Sequence, residues 1–587
     1  MTLGAVYEGG GRCTFTVWAP NAKRVEVRLG ERIDVLRPAE RGYHTAILDD
    51  VSPGDRYAFV LDGRPERADP ASRWQPDGLH GPSAVVDPRA FRWTDAGFSA
   101  PRLRDLVIYE LHIGTFTPEG TFDAATRHFR ELRELGVNAI EPLPIAQFPG
   151  ARNWGYDGVL AWAAQDTYGG PEGLRRFVDA AHREGLAVLL DVVYNHVGPE
   201  GNYLPEFGPY FTERYHTPWG AAINFDGPES DEVRRYYIES ALMWLRECHA
   251  DGFRLDAVHA IIDASARPFL AELNDAVHEE AQRLGRTAIV IAESDQNDVA
   301  VITPTPERGL GFDATWSDDF HHAVHALLTG ERTGYYRDFG DIAHLAATLG
   351  QGWAYAGERS AFRRRRHGNV PAGALAERFV VAVQNHDQVG NRARGDRLAT
   401  LVDAERLKVA AAALLLSPFT PMLFMGEEHG ERRPFQYFTS HTDAALIEAV
   451  RRGRREEFKE FAWQGEVPDP QAEDTFRASV IDRASGSREI RVLYRELLQL
   501  RSSLPGLRPA RPDPAAVVTG EAAVGLLRDG IALALAFGAG ALELPPGAWR
   551  VRLDTADTRF GGPGAWQDAP AGRLVFDGPR ALLLERA

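Results

Sequence analysis

The residues that could carry chemistry sit at the ends of strand-like runs. The first run is Asp251-Gly252-Phe253-Arg254-Leu255-Asp256-Ala257-Val258-His259. Read as a strand, it alternates: Arg254 and Asp256 share one face, Phe253 and Leu255 the other. An isolated Arg-x-Asp is usually a buried structural ion pair. Here three more runs end in acids, amides or histidines: Asp191-Val192-Val193-Tyr194-Asn195-His196, Ala292-Glu293-Ser294 and Gln384-Asn385-His386-Asp387. Gathered in one pocket, such acids raise one another's pKa, so that one stays protonated while another is ionised. Glycoside hydrolysis needs that division: an acid to protonate the leaving oxygen and a carboxylate to attack the anomeric carbon. A divalent-cation site is the rival chemistry. Arg254 argues against it, because a guanidinium beside a would-be ligand competes with the metal. No metal and no cofactor are expected.

The elements that must position these residues alternate between strand and helix. Strands are expected at 106–116, 137–145, 186–193, 252–257, 288–293, 314–317, 379–385 and 421–426. Helical patterns lie between most of them, at 124–135, 170–184, 231–249, 264–284, 319–328 and 404–416. This α/β rhythm fits a (β/α)8 TIM barrel, in which all strand ends of one sense converge on one face. An open doubly wound sheet competes, but no Gly-rich phosphate loop follows any strand. The segment 197–230, rich in Gly, Pro, Tyr and Phe, reads as a long functional insertion after the third strand. Residues 1–100 read as an N-terminal immunoglobulin-like β-sandwich, from alternating runs such as Thr14-Phe15-Thr16-Val17-Trp18 separated by Pro/Gly/Asn turns. The barrel is expected over 101–504, ending in a helix at 488–501. An all-β sandwich domain is expected over 505–587.

Bulk composition narrows the partners. A chain of 587 residues exceeds one core, so about two to four domains are expected. The net charge of −17 argues against polyanions, so no nucleic-acid partner is expected, and a neutral ligand fits better. The four-Arg run Arg363-Arg364-Arg365-Arg366 reads as a solvated loop. Cys13 and Cys248 offer neither a disulfide framework nor metal-ligand spacing. Met1 to Gly11 lacks a basic region followed by an apolar core, so no signal peptide is expected. The run 409–425 is broken by Ser417-Pro418 and Pro421, and reads as a buried helix entering a buried strand instead of a membrane span. A cytoplasmic location away from membranes is expected.

The motifs DVVYNH, GFRLDAVH, AESD and NHDQ, in this order, resemble the four conserved regions of the α-amylase superfamily, glycoside hydrolase family 13. The resemblance implies that Asp256 is the nucleophile, Glu293 the general acid/base and Asp387 the holder of the 2- and 3-hydroxyls. It implies that Arg254, helped by Asp191, keeps Asp256 ionised, and that His196 and His386 hydrogen-bond the sugar before the scissile bond. Tyr156 and Asp157, in Asn153-Trp154-Gly155-Tyr156-Asp157, match the position where a Tyr stacks on that sugar. The two reacting carboxyls should then sit about 5–5.5 Å apart. Stretches such as Glu110-Leu111-His112-Ile113-Gly114-Thr115-Phe116, Thr217-Pro218-Trp219-Gly220 and Asp318-Asp319-Phe320-His321-His322 resemble one subgroup of the family. That subgroup cleaves the α-1,4 bond joining an α-glucan chain to a terminal trehalose in maltooligosyltrehalose, and its pathway partner is a maltooligosyltrehalose synthase. His259, Asp295, Trp219 and the loop 331–339 are candidates on the leaving side. A glucan branching enzyme, an isoamylase-type debranching hydrolase and a non-catalytic glucan-binding protein remain as alternatives.

Overall fold

The computed structural model describes residues 2–460, 467–507, 512–513, 516–566 and 572–587. At its centre eight parallel strands close into a barrel in sequence order. They are β1 (Ile108–Leu111), β2 (Ala139–Pro142), β3 (Ala187–Val192), β4 (Gly252–Leu255), β5 (Ile289–Ala292), β6 (Ala314–Trp316), β7 (Phe379–Val381) and β8 (Thr420–Phe424). Strand β8 pairs back onto β1 through Met422↔Ile108 and Leu423↔Tyr109. Every residue of β1 to β5 is buried. Helices cover the outside and side chains fill the inside, so these strands read as near-continuous apolar runs in which a charged residue stands out.

The strands are shorter than the apolar runs suggest, because the chain turns as soon as it leaves the barrel. The 106–116 run yields only β1 before a helical turn, Ile113–Phe116. The 379–385 run stops at Val381, and Asn385 caps the next helix by accepting from the N–H groups of Asp387 and Gln388. Among the helices, 124–135 divides into Phe122–Thr126 and Phe129–Leu135. The 264–284 pattern begins only at Phe269, after Pro268, with Asp263 accepting the Phe269 N–H at 2.6 Å. A proline's predecessor is pushed out of the helical region, which explains the late start. Helix Ala404–Leu416 forms as expected and leads into β8. Among the described residues no helix is long and apolar enough to cross a membrane. The 197–230 insertion contains a hairpin, Phe211–Thr217 with Gly220–Ile223. Helices Ile342–Gln351 and Ala444–Glu460 were not foreseen.

Before the barrel stand two four-stranded sheets. One is built on Gly4–Gly9, Arg12–Trp18, Tyr43–Leu48 and Arg37–Pro38; the other on Arg32–Val35, Val25–Leu29, Arg56–Leu61 and Ser83–Ala84. Phe15, Val17, Val25, Val27, Tyr57 and Phe59 lie buried in a common core. This unit is tied to the barrel beside β3 and β4. Trp18 packs edge-on against Tyr210, the Tyr236 hydroxyl donates to the Pro70 carbonyl at 2.8 Å, and Arg73 Nε donates to Glu247 at 3.0 Å. After helix Arg488–Ser503 the chain forms a five-stranded sheet with a two-stranded companion.

Gly252 opens β4 at φ +152°, and a Cβ there would lie 1.9 Å from the Ile289 carbonyl oxygen of β5. The two strands approach so closely only because the side chain is absent. Gly252→Ala should therefore destabilise the protein by at least about 1–3 kcal/mol, visible as a lowered midpoint in thermal unfolding; an unchanged midpoint would contradict this packing.

Candidate active site

Strands β3 and β4 are neighbours, and their register sets Asp191 directly opposite Arg254. Arg254 is 0% exposed. Its Nη1 donates to both Asp191 oxygens, at 2.7 and 2.8 Å, to Asp256 Oδ1 at 3.0 Å and to the Tyr156 hydroxyl at 3.1 Å. Nη2 lies 2.8 Å from Glu293 Oε2, as a charge contact without an aligned hydrogen bond. The guanidinium also sits over the Trp316 ring, 4.4 Å from its centroid. Burial alone would favour loss of the proton, but Asp191 and Glu293, then Tyr156 and Asp256, hold the Arg254 pKa well above its usual value.

The chain leaves β4 sharply. Asp256 follows the last strand residue, and Ala257 adopts φ +40°. The turn points the Ala257 N–H at Glu293 Oε2, 2.7 Å away. Asn195, just past β3, donates to Asp256 Oδ2 at 2.6 Å and to the Asp256 carbonyl at 2.9 Å. His196 Nδ1 lies 2.6 Å from Asn195 Oδ1, and its Nε2 lies 2.9 Å from the Tyr156 carbonyl. Burial would raise the Asp256 carboxyl. Arg254, His196, the Asn195 hydrogen bond and a hydrogen bond from Glu293 together bring it below the usual carboxylate value. Glu293 is driven the other way. Burial, with Asp256 and Asp387 nearby, pushes it well above the ordinary range despite Arg254. One carboxyl is thus held charged and its neighbour neutral, the division that acid-assisted displacement at an acetal carbon requires.

Asp387 is the second residue of the helical turn His386–Gly390 beyond β7, and its Oδ1 accepts from Asn391 Nδ2 at 2.8 Å. His386 is buried and anchored to Glu110 of β1, which accepts its backbone N–H at 2.8 Å and lies 2.6 Å from its Nδ1. Burial would lower the His386 pKa, but Glu110 raises it above the usual value. The Tyr156 ring stacks on His386, and its hydroxyl donates to Asp191 Oδ2 at 2.6 Å. Asp157 is held by Asn153 Nδ2 at 2.6 Å.

A cleft of about 790 Å³ opens over this cluster. Of the residues expected from sequence, Tyr156, Asp157, His196, Asp256, His259, Glu293, His386 and Asp387 line it, as does Trp219, stacked on His196. Asp191 and Arg254 lie beneath, as supports. Asp295 is not part of the wall. Arg363 Nη1 donates to it at 2.9 Å, and His259 Nε2 lies 3.8 Å away. His259 and Arg363 more than offset burial and keep Asp295 below the usual range. The solvated reading of the four-arginine run therefore holds for Arg364, Arg365 and Arg366, which are exposed, and not for Arg363. A charge run carries no pattern that reveals a partner about 70 residues away, at Asp295. Residues 331–339 are not among those lining this cleft, though burial and the nearby charges of Asp387 and Asp318 raise the Tyr335 hydroxyl.

Several site residues were invisible in the motifs. Glu110, quoted only for its resemblance, and Glu141 of β2 are 1% exposed, and a charge inside an apolar strand was the available signal. Neither Glu141 oxygen has a hydrogen-bond partner. Burial, with Glu110 and Asp191 close by, pushes its pKa well up and favours the neutral acid. Asp318 is raised to about 7 by burial and by Asp387. Asn391, Tyr437 and Arg454 reach the cleft from segments with no sequence signal. Among the described residues no group of three or more His, Cys, Asp or Glu side chains is placed to hold a metal ion.

A closed parallel barrel with a charged and a neutral carboxyl at the ends of β4 and β5 defines a glycoside hydrolase of the α-amylase type. Comparison with known proteins agrees. Residues 86–216 match the family model described as alpha amylase, catalytic domain. A malto-oligosyltrehalose trehalohydrolase from Saccharolobus solfataricus is 50% identical, over 85% of this chain and 87% of the relative. One from Arthrobacter ramosus is 46% identical, over 96% of this chain and 99% of its own length. A solved Salmonella typhimurium structure of alpha-amylase type superimposes with a TM-score of 0.90 at 40% identity, covering 100% of this chain and 99% of the other. The chain belongs to the malto-oligosyltrehalose trehalohydrolase family.

Without the Asp191 carboxylate, Arg254 keeps Asp256 as its main charged partner, and an undercompensated buried charge is costly. Asp191→Asn should cost about 3–5 kcal/mol of stability, read as a lowered unfolding midpoint, and should reduce turnover as Arg254 loses its fixed position. A variant with wild-type stability and turnover would show that Arg254 needs no second anion.

Proposed function

We propose that this protein hydrolyses the α-1,4-glucosidic bond next to the terminal trehalose of maltooligosyltrehalose, releasing trehalose with retention of configuration. The observation that carries the reading is the placement of Asp256 and Glu293 on one fully buried arginine, 3.0 and 2.8 Å from its nitrogens, in surroundings that shift the two carboxyls in opposite directions. The names of the relatives supply the trehalose. Glu293 donates its proton to the glycosidic oxygen as the Asp256 carboxylate attacks the anomeric carbon. That carbon–oxygen bond breaks, trehalose departs with the proton, and the glucan chain stays as an ester on Asp256. Glu293, now ionised, takes a proton from water, and the resulting nucleophile displaces Asp256. Asp387 holds the 2- and 3-hydroxyls of the distorted sugar. His196 and His386 bind the same ring, Tyr156 stacks on it beside Asp157, and Arg254 with Asp191 keeps Asp256 charged. His259, which lines the cleft with Glu293, faces the departing trehalose, with Asp295 behind it, 3.8 Å from the His259 ring.

The same reading divides the chain into a sandwich at 1–100, a barrel at 101–504 and a β domain at 505–587. It places the protein in the cytoplasm, beside a maltooligosyltrehalose synthase that supplies its substrate. The test is to incubate the protein separately with maltooligosyltrehalose, maltopentaose and amylose. Trehalose release with little action on maltopentaose is expected. A changed iodine spectrum on amylose without new reducing ends would mean branching, and binding without turnover a glucan-binding protein. NMR of the first product should show the α-anomer; a β-anomer would sink the retaining mechanism.

Two kinetic outcomes follow from the pKa directions. Asp256 must be ionised and Glu293 protonated, so kcat/KM should be bell-shaped. The acid limb should fall below the ordinary carboxylate range, as Asp256 takes a proton. The alkaline limb should lie well above that range, where Glu293 loses its own. Glu293→Gln should cut turnover by about 10²–10⁴-fold while substrate still binds, and near-normal turnover would refute the role.

A further inference from the structure

Asp387 rides on a single helical turn, His386–Gly390, and so short an element needs outside support. One side is closed by Trp154. A Cβ on Gly390 would lie 2.0 Å from the Trp154 ring, so backbone and indole are in direct contact. The other side is held from far along the chain. Arg454, on helix Ala444–Glu460 beyond β8, donates from Nη2 to the Gly390 carbonyl at 2.6 Å. The Arg454 guanidinium lies over the Tyr437 ring, 5.2 Å from its centroid. Tyr437 meets Trp154 edge-on at 5.2 Å, and Trp154 meets His386 edge-on at 5.9 Å. Arg454, Tyr437 and Trp154 thus form a continuous brace around the turn, and all three line the cleft.

We propose that Arg454 is a positioning residue that sets the Asp387 carboxyl by clamping the end of its helical turn at the Gly390 carbonyl. This rests on the site roles proposed above. A guanidinium suits the task because it can hold a carbonyl with one edge while its plane rests on an aromatic face. The carbonyl of Gly390 is near the end of the turn, where helical oxygens lack partners within the helix. Loss of the clamp should let the turn shift, and small displacements of a group that acts in the transition state are costly.

The test uses the full chain with Arg454→Met, which keeps the stem and loses the donors, and Arg454→Lys, which keeps a charge and a donor. Both are assayed on maltooligosyltrehaloses of a short and a long chain, with thermal unfolding in parallel. Arg454→Met is expected to lower kcat by about 10²-fold, equally for both chain lengths, with little change in KM and an unchanged unfolding midpoint. Arg454→Lys should recover part of that loss. A wild-type kcat in Arg454→Met overturns the proposal, as does an effect confined to KM. Equal losses in both variants with a lowered midpoint overturn it too. Failure of the underlying reading would look different, since the unaltered protein would then release no trehalose from either substrate.

Discussion

One buried guanidinium organises this molecule. Arg254 enters the barrel with no contact to water, and a cation in that position survives only if anions are held around it. The fold supplies them from neighbouring strands: Asp191 across the β3–β4 register, Asp256 two residues along, and Glu293 at the end of β5. Each anion is then constrained in turn. Asp191 accepts from Tyr156, Asp256 from Asn195, and Glu293 from the Ala257 amide. The arrangement holds more carboxyls than one arginine can neutralise. Burial pushes Asp191 up to about 6 and Glu141 well above the usual range, while Asp256 is held below it.

That imbalance separates two carboxyls that the sequence alone does not distinguish. In water Asp256 and Glu293 would titrate almost together. In the barrel they experience the same cation but different neighbours. Asp256 has a dedicated amide donor and a histidine, whereas Glu293 faces two other acids. Preorganisation of this kind costs folding stability, and the closed barrel is rigid enough to bear it.

The supports come from far apart in the chain. Glu110 on the first strand fixes His386 beyond the seventh, and Arg454 beyond the eighth reaches back to Gly390. The N-terminal sheets brace the segment after β3 through Trp18 and helix Ser230–Cys248 through Pro70 and Arg73, near the loops that carry Asn195 and His196. Parts that never touch the cleft therefore restrict the loops that shape it.

Much of this was legible in the residues alone. Strand and helix periods outlined the barrel, and the acids and histidines at run ends marked its working face. That information is local: a charged residue closing an apolar run is unusual wherever the partner lies, and such residues are easily seen. Element ends were less legible. Asn385 and Pro268 act through capping and backbone restriction, which cut apolar runs short. What lay beyond the chain's own order was pairing at a distance. Nothing near Arg363 points to Asp295, nothing near Arg454 to Gly390, and Glu141 looks like any strand acid until its oxygens are found without partners. The charge states of Asp256 and Glu293 belong to the same class. Both are carboxyls after apolar strands, and only burial and the set of groups packed around each one separate the environment of Asp256 from that of Glu293.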